Sequence, residues 1–284
     1  MNFNFEHFDK FSNSKWDKIV NSFEGSTFLH SSKMINYFCA FDKNIKNLSF
    51  LVKDDEFKYI AAVVLAITNN KKKKSISFSD YICPIPALAK TNKSKRTKLN
   101  DFIWRQINNI AKKNKVSKLQ FKLYPINNYS IKNKIISSIN IFESVKYLPI
   151  IDVVNNLILN LKKSDSELND NLSKYRKKDI KKSIKNNVEI YPIDNKNLKD
   201  IKYQIDQFRI AHLEAAGKIT RSIETWNTME VALKKDLAQL FIAKIGKNTI
   251  SYLFCGKYGK SAWGWSQVNK EEIEKKIPVR HYLE

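Results

Sequence analysis

Two helical hydrophobic patterns followed by three strand-like runs occur twice in the chain, about 190 residues apart. The first helical patterns cover Trp16 to Phe23 and Ser32 to Phe41, and strands are expected at 48–53, 59–68 and 75–78. In the second half, helices are expected at about 198–216 and 222–235, followed by strands at 238–245, 249–255 and 261–268. The three strand starts differ by 190, 190 and 186 positions. Such a spacing predicts a duplicated α/β unit, with domains at 1–150 and 151–284 and mixed, largely antiparallel sheets. After its three strands the first unit continues through a loop with Pro84 and Pro86, a helix carrying Leu99, Ile103, Ile107 and Ile110, and strands at 118–123 and 149–160. Residue 284 corresponds to about residue 94 of the first unit, so the second unit is expected to be incomplete by roughly 60 residues.

A length of 284 residues with 43% hydrophobic residues suffices for two cores, which excludes collagen, disulfide scaffolds and wholesale disorder. The longest apolar run, Tyr59 to Ile67, is nine residues, whereas a membrane span needs about 20. With no apolar signal-peptide core at the N-terminus, the chain is expected in the cytoplasm, at most touching the inner face of an anionic membrane. Cys39, Cys83 and Cys255 are scattered, and the four histidines have no metal-ligand spacing, so reduced thiols and no metal are expected. The net charge of +23, from 51 Lys and Arg against 28 Asp and Glu, has two readings: a polyanionic partner, or lysines spread over a solvated surface.

Residues 164–190 carry the most chemistry. Ser164 or Asp165 and then Ser173 are placed to cap two successive helices. On a helical wheel with Arg176 at zero, Ile180 falls at about 40°, Ile184 at about 80° and Ser183 at about 340°. Lys174, Lys178, Lys181, Lys182 and Lys185 fall at about 140–240°, on the opposite side. An arginine on an apolar flank needs an anion, either an internal carboxylate or a substrate phosphate or carboxylate.

Three stretches together resemble the Fem-type peptidoglycan-bridge aminoacyltransferases and related GNAT-like proteins of cell-envelope and polysaccharide loci. The first is Tyr175-Arg176-x-x-x-Ile180-x-x-Ser183 followed by Asn187-Val188-Glu189-Ile190. The second comprises Thr27-Phe28-Leu29-His30-Ser31 and Phe78-Ser79-Asp80-Tyr81. The third is His212-x-x-x-Ala216-Gly217-Lys218-x-Thr220-Arg221-Ser222-x-x-Thr225-Trp226, with Pro278 to Leu283 beyond it. The resemblance implies two tandem GNAT-like domains, the second incomplete. It also implies an N-acyltransferase that moves an acetyl or aminoacyl group to an amine on a nucleotide- or lipid-linked envelope or surface-glycan precursor, and it matches Arg176 to an arginine contacting precursor phosphate. The family's Phe-x-Gln-Ser motif has His30 in place of glutamine, and the lysine that follows it falls at Tyr37 or Phe38.

The donor is expected to be aminoacyl-tRNA or acetyl-CoA. The stretch from Phe78 to Thr97 contains no glycine for a pyrophosphate-cradling loop, so the first unit is expected to be a degenerate scaffold and acceptor platform, with the donor and catalytic role in the second. If tRNA is the donor, Lys90, Lys93, Lys95, Arg96 and Lys98 and the lysine face of the Arg176 helix are the basic surface for its phosphates.

Acyl transfer needs a neutral amine, an aligned carbonyl and donors for the developing oxyanion. No Gly-x-Ser-x-Gly elbow or Cys/His pairing is present, which favours direct transfer. Asp80 is the candidate to orient or deprotonate the amine, against a turn-forming role, and Tyr81 the candidate to hydrogen-bond the acceptor, against a lid on the core. His212 closes the inward series Leu198, Ile201, Ile205, Phe208, and reads as a proton carrier or a core histidine. Arg209 and Arg221 are candidate anion ligands, and Trp263, alternating with Trp265, is a candidate stacking floor or core residue. The alternative from a different class is a non-catalytic basic nucleic-acid-binding protein.

Overall fold

The structure, a computed structural model, describes residues 2–23, 25–70, 73–76, 83–122, 160–259, 261–270 and 276–279. The chain divides into two compact units, Met1–Asn156 with Gly259–Ser261, and Leu157–Tyr258 with Ala262–Glu284.

In the first unit, β1 (Asn4–His7) is followed by α1 (Asn13–Val20) and α2 (Ser32–Phe41). Ser12 and Ser31 cap the two helices by accepting the N–H groups of Lys15 and Met34. Asp17 of α1 accepts both the backbone N–H and the hydroxyl of Ser32 at 2.7 Å, locking the two helices together. The chain continues through β2 (Ile45–Asn47), β3 (Phe50–Lys53), β4 (Tyr59–Val63), β5 (Ala66–Asn70) and β6 (Lys73–Ile76). Then come β7 (Cys83–Pro84), β8 (Ala87–Leu88), α3 (Lys93–Lys113), β9 (Lys118–Leu119) and β10 (Phe121–Lys122). One sheet has the order β1-β3-β4-β8 and a second β2-β5-β6-β9, while β7 and β10 form a short parallel pair.

Three expectations are corrected here. The strand expected over 59–68 is two strands, because the hairpin bends at Ser49 and Leu65. The Ser49 hydroxyl accepts the Leu65 N–H at 3.0 Å, and the Leu48 N–H reaches the Leu65 carbonyl at 2.8 Å, so both backbone groups of the buried Leu65 are paired at the bend. The loop around Pro84 and Pro86 contains β7 and β8. Pro84 lies in a two-stranded pair, where a residue without an N–H is tolerated. The strand expected at 118–123 is split between two sheets, β9 beside β6 and β10 beside β7.

Lys95, in the first turn of α3, bonds Asp54 at 2.6 Å, and the Asp54 side chain is 1% exposed. Burial works to raise this carboxyl's pKa, but Lys95 and the N–H groups of Lys58 and Glu56 outweigh it and hold the pKa below the ordinary carboxylate range. Lys95→Met leaves a buried carboxylate short of its cation and is expected to cost about 2–4 kcal/mol in urea denaturation. Adding Asp54→Asn is expected to recover part of that loss, and a double mutant no better than the single refutes the pairing.

The second unit starts with α4 (Asp165–Asp170), capped by a Ser164/Glu167 box, and α5 (Lys174–Lys185), capped by Ser173. It continues with β11 (Val188–Ile193), α6 (Leu198–Ala216), α7 (Ile223–Lys234), β12 (Ala238–Ile245), β13 (Asn248–Tyr258) and β14 (Ser261–Asn269). Its sheet has the order β11-β12-β13-β14, with β11, β12 and β13 pairing antiparallel in succession. Strand, helix, helix, strand, strand is thus the opening order of β1 to β4 and of β11 to β13, apart from the short β2, and β1·β3 and β11·β12 are equivalent antiparallel pairs.

The inward stripe of α6 buries Ile201, Ile205 and Phe208, and α7 buries Trp226, Met229 and Leu233 at helical spacing. Phe208 joins the layers, stacked on Tyr252 of β13 at 5.2 Å and edge-on to Trp226 at 5.3 Å. A second cluster packs Val188, Ala243 and Leu253 with Ile277 and Val279. On α5, Arg176 and Ile180 are half-buried and Ser183 is fully buried, while the five opposing lysines are exposed. Ile184, expected on the inward flank, is 55% exposed: the buried strip is narrow and centred on Ser183, whose small side chain permits close approach. No described helix is long and apolar enough to cross a membrane.

Candidate functional site

The site lies in the second unit, where α6 ends and α7 begins. Gly217 terminates α6 with φ of +62°, a conformation that disfavours any side chain. The turn that follows carries Arg221 back over the first turns of α7, so that its Cζ lies 4.6 Å from the Trp226 ring. The Arg221 Nη2 donates to Ser266 Oγ on β14 at 3.0 Å and faces His212 Nε2 at 3.3 Å. His212 Nε2 is also 3.1 Å from Ser266 Oγ, and Arg221 Nη1 lies 3.9 Å from Met229 Sδ.

These contacts define a protonation state. Guanidinium can only donate, so His212 Nε2 accepts and the ring proton sits on Nδ1. Ser266 accepts from Arg221 and is free to turn its own hydrogen toward His212. Burial, with the charge of Arg221, pushes the His212 pKa down to about 4. The imidazole is therefore neutral at physiological pH and serves as an anchor for Arg221. The ring packs between Phe208 at 5.0 Å and Trp226 at 5.4 Å.

Above this floor opens a cleft of about 150 Å³. Its cations are Arg209, Lys218 and Arg221, and its aliphatic walls are Leu213, Ile219 and Ile223. Thr220 and Ser222 contribute hydroxyls, and among the described residues no Asp or Glu lines it. Arg209 is half-buried, with Nε 3.9 Å from Asp206 one turn earlier on its own helix. The chemistry available is anion binding beside an apolar surface.

Of the residues singled out in the sequence, His212, Arg209 and Arg221 come together here. Arg176 lies on α5 and Trp263 on β14; both are half-buried and neither lines the cleft. Trp265, the alternate partner of Trp263, meets Phe254 edge-on at 5.2 Å, a packing role. Asp80 and Tyr81 lie outside the described residues. Sequence reasoning missed Ser266 as the bridge. A serine 45 residues from Arg221 carries no local signal, and only the placement of β14 beside α6 reveals it.

The histidine found in the Thr27–Ser31 motif is structural. His30 is 1% exposed; its Nδ1 accepts from the Thr27 N–H at 3.1 Å and Nε2 donates to the Ile85 carbonyl at 2.9 Å. Burial, against the contrary pull of these backbone bonds, lowers its pKa to about 4.

No protein-family model matches the chain, and neither does any curated protein. Among solved structures it is similar to FemX at 13% identity, with a TM-score of 0.60, over 99% of this chain and 83% of FemX. A conserved protein of unknown function from Bacteroides thetaiotaomicron aligns at 8% identity with a TM-score of 0.49, over 99% of this chain and 85% of that one. The chain thus has the mixed α/β fold of FemX.

Proposed function

We propose that the protein is a Fem-type N-acyltransferase that moves an aminoacyl or acetyl group onto an amine of a nucleotide- or lipid-linked cell-envelope precursor. The observation that carries this reading is the FemX fold over 99% of the chain. The common opening order of the two units supports the tandem GNAT-like reading. The cationic cleft with its neutral imidazole supports adding a part in acceptor binding to the donor and catalytic role expected of the second unit, beside the acceptor platform expected of the first.

In the reaction the acceptor amine attacks the acyl carbonyl. A C–N bond forms, the ester C–O bond of aminoacyl-tRNA or the thioester C–S bond of acetyl-CoA breaks, and the proton leaving the amine ends on the departing oxygen or sulfur. His212, an acceptor toward Arg221 with a pKa of about 4, acts by holding the guanidinium in place. Asp80 and Tyr81 are assigned to the amine, Arg176 to a precursor phosphate, and Trp263 to the face of a sugar. Arg176→Ala is expected to raise the acceptor KM about tenfold, from one lost charge-assisted contact, with kcat little changed. Unchanged kinetics reject that role.

The deciding experiment incubates the protein with labelled aminoacyl-tRNA or acetyl-CoA and amine-bearing nucleotide- and lipid-linked precursors, and follows the mass of the precursor. A gain of one acyl group with one donor is expected. No gain with either donor on any such acceptor overturns the reading.

A further inference from the structure

We infer that the lysine face of α5 is a docking surface for an anionic phospholipid bilayer. The inference goes beyond the proposed reaction and does not depend on it.

The charges of this face are gathered on one rigid element. α5 is capped by Ser173 and packs against β11, and the full burial of Ser183 with the half-burial of Ile180 fixes which side points inward. Lys174, Lys178, Lys181, Lys182 and Lys185 are left exposed on the other side. Four of them, Lys174, Lys178, Lys181 and Lys185, fall within about 60° of one another and follow the helix axis for about 16 Å. Among the described residues none of the five forms an ion pair. Asp179, the one acid in α5, is half-buried and lies off the face at about 300°. Like charges four positions apart, as in Lys174 and Lys178, Lys178 and Lys182, and Lys181 and Lys185, destabilise a helix, and a polyanion laid along the face relieves that cost.

The flanks of the face decide which polyanion. Tyr175 is 82% exposed and Ile184 55% exposed. On the wheel they stand at about 260° and about 80°, one on each side of the lysines and at opposite ends of the helix. A ring with a hydroxyl tip and an aliphatic chain at the borders of a basic face match a headgroup layer, where tyrosine sits at the interface and apolar groups leave water. A nucleic-acid backbone offers phosphates to the lysines but no apolar phase to Ile184. A bilayer also presents its charge as a flat sheet, which a straight axial stripe meets along its whole length. Each lysine close to an anionic leaflet multiplies binding about fivefold, so five together supply about three-thousandfold. Joined to the transfer reading, the inference favours the lipid-linked acceptor over the nucleotide-linked one, and only that corollary rests on the reading.

The test is co-sedimentation of the full chain with vesicles of phosphatidylcholine alone and of phosphatidylcholine mixed with phosphatidylglycerol. Binding is expected to the mixed vesicles only, and release at about 0.5 M salt, where screening shortens the reach of each charge to a few ångströms. The triple variant Lys178→Gln, Lys181→Gln, Lys185→Gln is expected to lose about a hundredfold in vesicle affinity. A control triple variant, Lys10→Gln, Lys18→Gln, Lys43→Gln, removes three exposed lysines of the first unit and makes the same change in net charge. It is expected to stay within about twofold of the wild type, because charges away from the leaflet are screened. The double variant Tyr175→Ser, Ile184→Ser is expected to lose about tenfold on mixed vesicles through the apolar area it no longer buries. All the substituted side chains are exposed or at the border of the face, so thermal unfolding should be nearly unchanged. Equal losses in the two triple variants would mean that net charge alone is read, and no binding to mixed vesicles at low salt would remove the surface altogether; either overturns the inference. So does a gel shift in which the α5 triple variant loses tRNA while keeping its vesicles, or vesicle binding indifferent to the Tyr175 and Ile184 changes, since both make the face a nucleic-acid or purely electrostatic one. The vesicles contain neither donor nor acceptor, so this binding and the transfer reaction fail independently.

Discussion

Arg221→Ala lowers transfer to the amine acceptor by about a hundredfold in kcat/KM, equivalent to about 2–3 kcal/mol of charge-assisted hydrogen bonding. The expectation follows from the way Arg221 is held. Its guanidinium lies over Trp226 and is tethered by Ser266 and His212, so its conformational cost of binding is met before the acceptor arrives. Arg221→Lys should recover only part of the loss, because an ammonium reproduces the charge but neither the planar fork nor the stack. His212→Ala removes one tether and leaves Ser266, so a loss of about tenfold is expected, smaller than that of the arginine itself. His212 also sets an acidic limit. Its pKa of about 4 lies below the ordinary imidazole value, so the ring stays neutral at pH 6 and gains a proton only as pH falls toward 4. The imidazolium then faces a guanidinium 3.3 Å away and the tether is lost. The pH-rate profile of the wild type should therefore fall on the acid side more steeply than that of His212→Asn, which keeps an acceptor but cannot titrate. Superimposable profiles, or Arg221→Ala within twofold of wild type, would refute the assignment.

His30→Ala destabilises the first unit by about 3–5 kcal/mol, a large share of the roughly 5–15 kcal/mol that holds a domain together. The substitution strands a buried N–H and hydroxyl of Thr27 and the carbonyl of Ile85, and leaves a void where a fully buried ring stood, while the bond from Trp16 Nε1 to the residue 30 carbonyl at 2.9 Å is kept. His30→Gln should cost less, since an amide offers one donor and one acceptor. The same residue dictates an acid response. The unfolded imidazole takes up a proton at about pH 6.5, while the folded one, buried and neutral, resists until about pH 4. A histidine whose folded pKa is depressed contributes its full stability above about pH 6.5 and loses it as pH falls through the window to 4. The loss at the lower end is about 3 kcal/mol. Urea denaturation at pH 7 and at pH 4.5 measures it, and His30→Gln should flatten the difference. A wild-type stability equal at the two pH values would sink this account.

Periodicity located most helices and strands because their buried faces are made of residues close in sequence. The series Ile201, Ile205, Phe208, His212 placed α6 and turned His212 inward, as the aromatic contacts of its ring show. The wheel of α5 put its five lysines in solvent, but Ile184 with them, since a wheel cannot tell how wide a contact the neighbouring strand makes. Proline around 84–86 suggested a loop, whereas two-residue strands tolerate it because they ask for so few N–H donors. The candidate site was half legible. His212, Arg209 and Arg221 were chosen for their chemistry, yet their convergence depends on Ser266, and hydrogen bonds across 45 and 54 positions leave no periodic trace.

The bend at Ser49 and Leu65 carries a consequence for how the first unit comes apart. One hairpin supplies β2 and β5 to one sheet and β3 and β4 to the other, and a single hydroxyl completes the backbone pairing where it passes between them. Neither sheet can release its share of that hairpin while the other keeps its own, so amide hydrogen exchange in Phe50–Lys53 and Ala66–Asn70 should report one cooperative opening rather than two.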